Sequence, residues 1–126
     1  MISPLVRLRR ICLKLPEAEE RETWEHQTFR VRGKIFAMFV GRDGPSLWCK
    51  APPGVQAILT GADPARFFRP PYVGQKGWIG VRLNAGADWQ EVAGLVRRSF
   101  AMTAPRKLLP PACKGEHNKN KNRAGR

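Results

Sequence analysis

Apolar residues near the start of the chain recur at helical spacing: Leu5, Leu8, Cys12 and Leu15 fall on one side of a run that Pro16 stops. Ser3 and Pro4 supply an N-cap followed by an N1 proline, so the pattern predicts a helix from Pro4 to about Lys14. A second stripe, Trp89, Val92, Ala93, Val96 and Phe100, follows the capping-box-like pair Asp88 and Glu91 and leaves Arg97 and Arg98 facing outward. Between them a short helix is expected over about Pro53 to Thr60, with Pro52-Pro53 at its start and Gly61 at its end.

Elsewhere the apolar residues alternate, as they do along a strand. Phe29 and Val31 alternate with Arg30 and Arg32, Gly33 permits a tight turn, and KIFAMFV returns as a largely apolar strand, which makes a β-hairpin. SLWCKA reads as a third strand after the Asp43-Gly44-Pro45 turn. In the run FFRPPYVGQKGWIGVRLN, Phe67 to Tyr72 form an extended arm interrupted by Pro70 and Pro71, Gly74 to Gly77 turn, and Trp78 to Leu83 alternate again. Ile79, Val81 and Leu83 share one face of that strand, Trp78 and Arg82 the other. The prolines assign the arm to a sheet edge or a bulge.

The resulting order is helix, three strands, helix, two strands, helix, an α+β fold with a five-stranded antiparallel sheet. Three helices do not cover both faces of such a sheet, so two layers are expected, with one sheet face largely open. Alternation assigns Arg30, Arg32, Trp78 and Arg82 to that face, together with Trp48 and Lys50.

A chain of 126 residues, 42% of them apolar, fits one domain with a modest core, expected over residues 1–109. No apolar segment approaches the roughly 20 residues of a membrane-spanning helix. Arginines interrupt the apolar pattern of MISPLVRLRRICLKLP and no small-residue cleavage site follows, so a cytoplasmic location is expected. Cys12, Cys49 and Cys113 are odd in number and far apart, which suits two core thiols and one in a tail rather than a disulfide framework or a zinc site.

Charge changes the picture most. The chain carries 23 Lys and Arg against 10 Asp and Glu, a formal +13, and such a balance favours polyanionic partners, nucleic acid foremost. From Arg106 onward seven residues are basic and one acidic, a net +6, and the preceding residues supply the other +7. After Leu109 the sequence has little to bury and no helical or strand period, so residues 110–126 read as a basic, disordered tail. That tail is either an arm raising nonspecific nucleic-acid affinity or a solubilising terminus.

Three segments, LPEAEERETWEHQTFRVRGKIFAMF, DPARFFRPPYVGQKGWIGVRLN and DWQEVAGLVRRSFAMTAPRKL, resemble the MmcQ/YjbR family of small bacterial proteins, from about Leu15 to Leu108. The resemblance implies a compact α+β domain in the same element order, likened to secretion chaperones and to frataxin-like (CyaY-like) proteins, and a DNA-binding role by likeness to a double-wing motif. It implies the fold more firmly than the activity. The chain departs from the family at two places: Trp24-Glu25-His26-Gln27 stands where W-x-H-P is frequent, and Gln75-Lys76 where a histidine pair is frequent. Both departures weaken an enzymatic or metal-binding reading.

The residues themselves offer little chemistry. His26 beside Glu25 has the makings of a general base, but it lacks a Ser or Cys nucleophile in a recognised setting, and a structural hydrogen-bonding role fits it better. Glu17, Glu19, Glu20, Glu22 and Glu25 lack the spacing of a calcium loop and read as a solvated segment. No catalytic residue, metal or cofactor is expected. Arg30, Arg32, Lys50, Arg69, Lys76, Trp78 and Arg82 are the candidate DNA-binding residues, with Lys76 at the tip of a wing-like turn. The alternative is a protein-interaction or chaperone-like adaptor that uses the same face through Trp48, Tyr72 and Trp78.

Overall fold

The computed structural model describes residues 3–42 and 44–109; the basic tail expected over 110–126 lies outside them. The chain runs α1 (Pro4–Leu13), β1 (Glu19–Thr23), β2 (His26–Val31), β3 (Lys34–Val40), β4 (Ser46–Cys49), α2 (Val55–Ala62), β5 (Phe67–Phe68), β6 (Ile79–Arg82) and α3 (Trp89–Thr103). Short 3-10 turns occupy Gly74–Lys76 and Arg106–Leu108. No helix among the described residues is long and apolar enough to cross a membrane.

The sheet has six antiparallel strands in the order β1-β2-β3-β4-β6-β5, one more than the five expected. The additional strand is β1, built from the acidic segment that reads as solvated chain. Its sequence, EERET, carries no apolar alternation because it is an edge strand whose side chains are mostly exposed or half-buried. Two other features hold it: Trp24 and Glu25 both take positive φ, as a two-residue type I′ hairpin requires, and Glu20 receives two hydrogen bonds from Arg9 of α1 at 2.6 and 2.9 Å. Arg32 and Gly33 repeat the positive-φ pair at the β2–β3 turn.

Both long helices start as their caps dictate. Ser3 Oγ accepts from the Val6 N–H, and Asp88 Oδ1 accepts from the N–H groups of Gln90 and Glu91. Glu91 does not close a capping box; it pairs with Arg66, just ahead of β5. The middle helix lies two residues later than expected, because Gly54 with φ 85° occupies its N-cap and Pro52 and Pro53 precede it in a turn. The arm expected from Phe67 to Tyr72 pairs with β6 only through Phe67 and Phe68, since Pro70 and Pro71 end the ladder.

Strand register sorts the side chains into two layers. Phe29, Ala37, Cys49 and Ile79 line up across β2, β3, β4 and β6, and Leu47, Val81 and Phe67 form a neighbouring row. These rows make one core with Leu8 and Cys12 of α1 and Val92, Val96 and Phe100 of α3. Phe100 meets Phe36 edge-on at 5.2 Å. Phe36 sits at a bulge, where the β2–β3 register shifts between Phe29 and Arg30. Fully buried Ser99 satisfies the irregularity: its hydroxyl donates to the Phe36 carbonyl at 2.6 Å and accepts from the Lys50 N–H at 2.9 Å.

Candidate functional site

With the helices on one face, register assigns the opposite face directly. Arg21, Thr28, Met38, Trp48, Gly80 and Phe68 form one row across all six strands. Val40, Ser46 and Arg82 form part of the next, with His26 at the end of β2. No helix covers this face, yet it is not flat. Gly80 has no Cβ, and a Cβ there would overlap the Phe68 ring, so the ring lies across β6 from the edge strand. Arg82 then stacks its guanidinium over Phe68, 4.7 Å from the ring centroid. On the other side His26 and Trp48 are tilted against each other at 6.5 Å between ring centroids.

These groups enclose a recess of about 470 Å³. Trp48, Val40 and Ser46 line its strand side, Phe68, Pro71 and Tyr72 one wall, and Arg42, Arg82 and Asn84 contribute polar ends. Among the described lining residues none bears a carboxylate, while two are arginines and one is histidine. The Trp48 Nε1 donor is buried and has no acceptor among the described residues. Tyr72 stands at the wall with 86% of its surface exposed and φ 66°, a backbone region in which a bulky residue is uncommon.

The seven expected interface residues separate into several places. Arg82 is exposed and lines the recess. Arg30 is half-buried and committed to neighbours, with bonds to Thr28 Oγ1, Thr23 Oγ1 and the Gly33 carbonyl. Arg32 lies in the hairpin turn and forms a bidentate pair with Glu17 at 2.5 and 3.1 Å, which raises the guanidinium pKa and lowers that of the carboxylate. Trp78 is 8% exposed, so its ring is not an open stacking surface. Alternation fixes which side a residue points to, not what then covers it.

Lys50 and Lys76 form a separate cationic corner with Lys34. Burial lowers the Lys50 pKa first, and repulsion from Lys34 and Lys76 lowers it further. Lys76 ends the 3-10 turn Gly74–Lys76, which Gln56 of α2 fastens by donating to the carbonyls of Gly74 at 2.8 Å and Trp78 at 2.5 Å. Arg69 packs along the same turn, close against Gly74. Arg42, Phe68, Pro71, Ser46 and Asn84 were absent from the sequence-based set, because their proximity depends on register and on the missing side chain of Gly80.

Cys12 and Cys49 are buried, and burial pushes the Cys49 thiol up to about 12 and the Cys12 thiol up as well, so neither is a nucleophile near neutrality. Among the described residues no group of three or more His, Cys, Asp or Glu is placed to hold a metal ion.

The family model described as YjbR matches residues 13–102, which includes every strand and nearly all of α3. The chain belongs to the YjbR family. A crystal structure of a Deinococcus radiodurans protein with a DUF419 domain is similar to this YjbR domain, with a TM-score of 0.71, 22% sequence identity and 81% of each chain covered. At that identity the likeness concerns the fold. No curated protein matches the chain. In this YjbR domain the recess and the lysine corner both belong to the matched segment.

Proposed function

We propose that this YjbR-family domain is a DNA-binding module that engages the phosphate backbone through the helix-free face of its sheet, without a catalytic step. The observation that carries the reading is the recess itself, which Arg42, Arg82 and His26 line together with the aromatic side chains of Trp48, Phe68 and Tyr72. The formal charge of +13 supplies long-range attraction to a polyanion. Lys34, Lys50 and Lys76 extend the cationic surface; the Lys50 pKa is lowered first by burial and then by repulsion from the other two, and phosphates placed among them would offset the second of these. Arg30 and Arg32 are left out of the contact set, since their donors already have protein partners.

Fluorescence-anisotropy titration of duplex DNA at several salt concentrations tests this reading on the full chain. Three forms are compared: the natural sequence, Arg82→Ala, and a tail form with Lys114, Lys119, Lys121, Arg123 and Arg126 changed to Gln. The expected result is affinity that falls steeply with salt, and a salt slope that drops by about 1 on Arg82→Ala. Affinity that vanishes in the tail form and ignores Arg82→Ala would contradict a role for the sheet face.

One observation favours a second reading, a protein-interaction adaptor: Trp24 and Tyr72 are 78% and 86% exposed. It predicts binding that depends weakly on salt and is lost when those aromatic rings are truncated.

A further inference from the structure

We propose that the recess on the helix-free face receives one unstacked nucleobase, with its phosphate held by Arg82 and Arg42, so that the domain prefers single-stranded nucleic acid or a free nucleotide to a duplex. The proposal rests on the nucleic-acid reading above and names the form of ligand which that surface takes.

Shape is the first argument. A phosphate-binding surface needs only cations presented to solvent, whereas this one sinks to a volume of about 470 Å³. That lies within the roughly 300–1,000 Å³ of small-molecule sites. Its apolar lining is flat-sided: the indole of Trp48, the rings of Phe68 and Tyr72, and Pro71. Flat side chains at such a recess suit a planar ring, and a base that remains paired and stacked within a duplex keeps its faces covered by its neighbours.

Polar placement is the second. A nucleobase bears carbonyl or ring-nitrogen acceptors on its edge and a phosphate at its sugar. Trp48 Nε1 is a buried donor without an acceptor among the described residues, and leaving such a donor unsatisfied is costly. The nitrogen is buried as it stands, so bonding an acceptor in the recess requires the indole to turn. Asn84 and Ser46 add further donor and acceptor groups, and the two arginines carry the charge complementary to phosphate.

The turn at Tyr72 adds a movable wall. Tyr72 holds its positive φ at the centre of a tight turn, in which the Val73 N–H donates to the Pro71 carbonyl at 2.7 Å, and that turn presents the side chain to solvent at the recess. An exposed tyrosine beside the recess is placed to close over a base by stacking.

The test titrates the full chain with three labelled probes: a short oligothymidylate, its duplex with oligoadenylate, and a strand of equal charge made of abasic sugar-phosphates. Trp48→Phe retains a flat ring and removes the N–H. Tyr72→Asn acts at an exposed position whose φ asparagine tolerates. The expected result is oligothymidylate bound about tenfold or more tightly than either other probe, with each variant weakening that preference and leaving abasic-strand affinity in place. Displacement of the strand by thymidine monophosphate would identify a free nucleotide as a sufficient ligand; a strand that resists displacement would identify the polymer as the source. Equal affinity for all three probes, reduced equally by Arg82→Ala, overturns the base-binding proposal while the phosphate reading survives. Failure to bind any probe overturns both.

Discussion

Ser99 illustrates how a single polar residue serves the fold. Its hydroxyl closes two backbone groups that the sheet leaves open, the carbonyl of Phe36 at the bulge and the N–H of Lys50 beyond β4. Ser99→Ala leaves both without that partner in a fully buried place, and a cost of about 1–3 kcal/mol is expected. Urea unfolding of the two forms measures it; an unchanged midpoint would mean that the two groups find other partners. Helical spacing places Ser99 on the side of Val92 and Val96, but the sequence gives no sign of the backbone groups that it meets there. Its role depends on a bulge created sixty-odd positions away, a separation of 63 residues in the hydrogen bond to Phe36. Trp48 was legible as a residue of the helix-free face, yet its unpaired N–H emerges only from the packing around it.

Among the elements, helices were easiest to read because their caps are local: Ser3-Pro4 and Asp88 set the starts of α1 and α3 where the sequence places them. The strand β1 was hidden for the opposite reason. An edge strand with mostly solvated side chains has no apolar period, and its position is decided by the type I′ turn at Trp24-Glu25 and by the Arg9–Glu20 pair. The β5–β6 pairing matters most for the site. Gly80 gives the Phe68 ring its place, and that ring in turn supports Arg82. Gly80→Ala is therefore expected to displace Phe68 and cost about 1–3 kcal/mol by overpacking. It should also weaken nucleic-acid binding by more than a conservative change distant from the recess; thermal unfolding and anisotropy on the same variant check both effects. Unchanged binding together with an unchanged midpoint would mean that Phe68 has free space to move into.

At the scale of the whole molecule, alternation told the helix-bearing side of the sheet from the helix-free side, although Thr28, Met38, Val40, Ser46 and Trp78 on the latter are buried rather than open, and the YjbR match together with the DUF419 structure agrees with the α+β plan. Alternation did not tell which cations are available. Arg32 is neutralised by Glu17, Arg30 is occupied by three hydrogen bonds and Trp78 is buried, while Arg42 joins the face from a turn. Net charge is a property of the chain, whereas an interface is made by the cations left unpaired around a suitable shape.

The most direct test of the proposed nucleic-acid interface is an amide and indole chemical-shift map of the full chain with and without oligothymidylate. The account predicts shifts at His26, Tyr72, Gly80, Arg82 and the Trp48 indole N–H, with Val92, Val96 and Phe100 in the helix layer unchanged. Shifts confined to the helix layer, or to residues beyond Leu109, would contradict it.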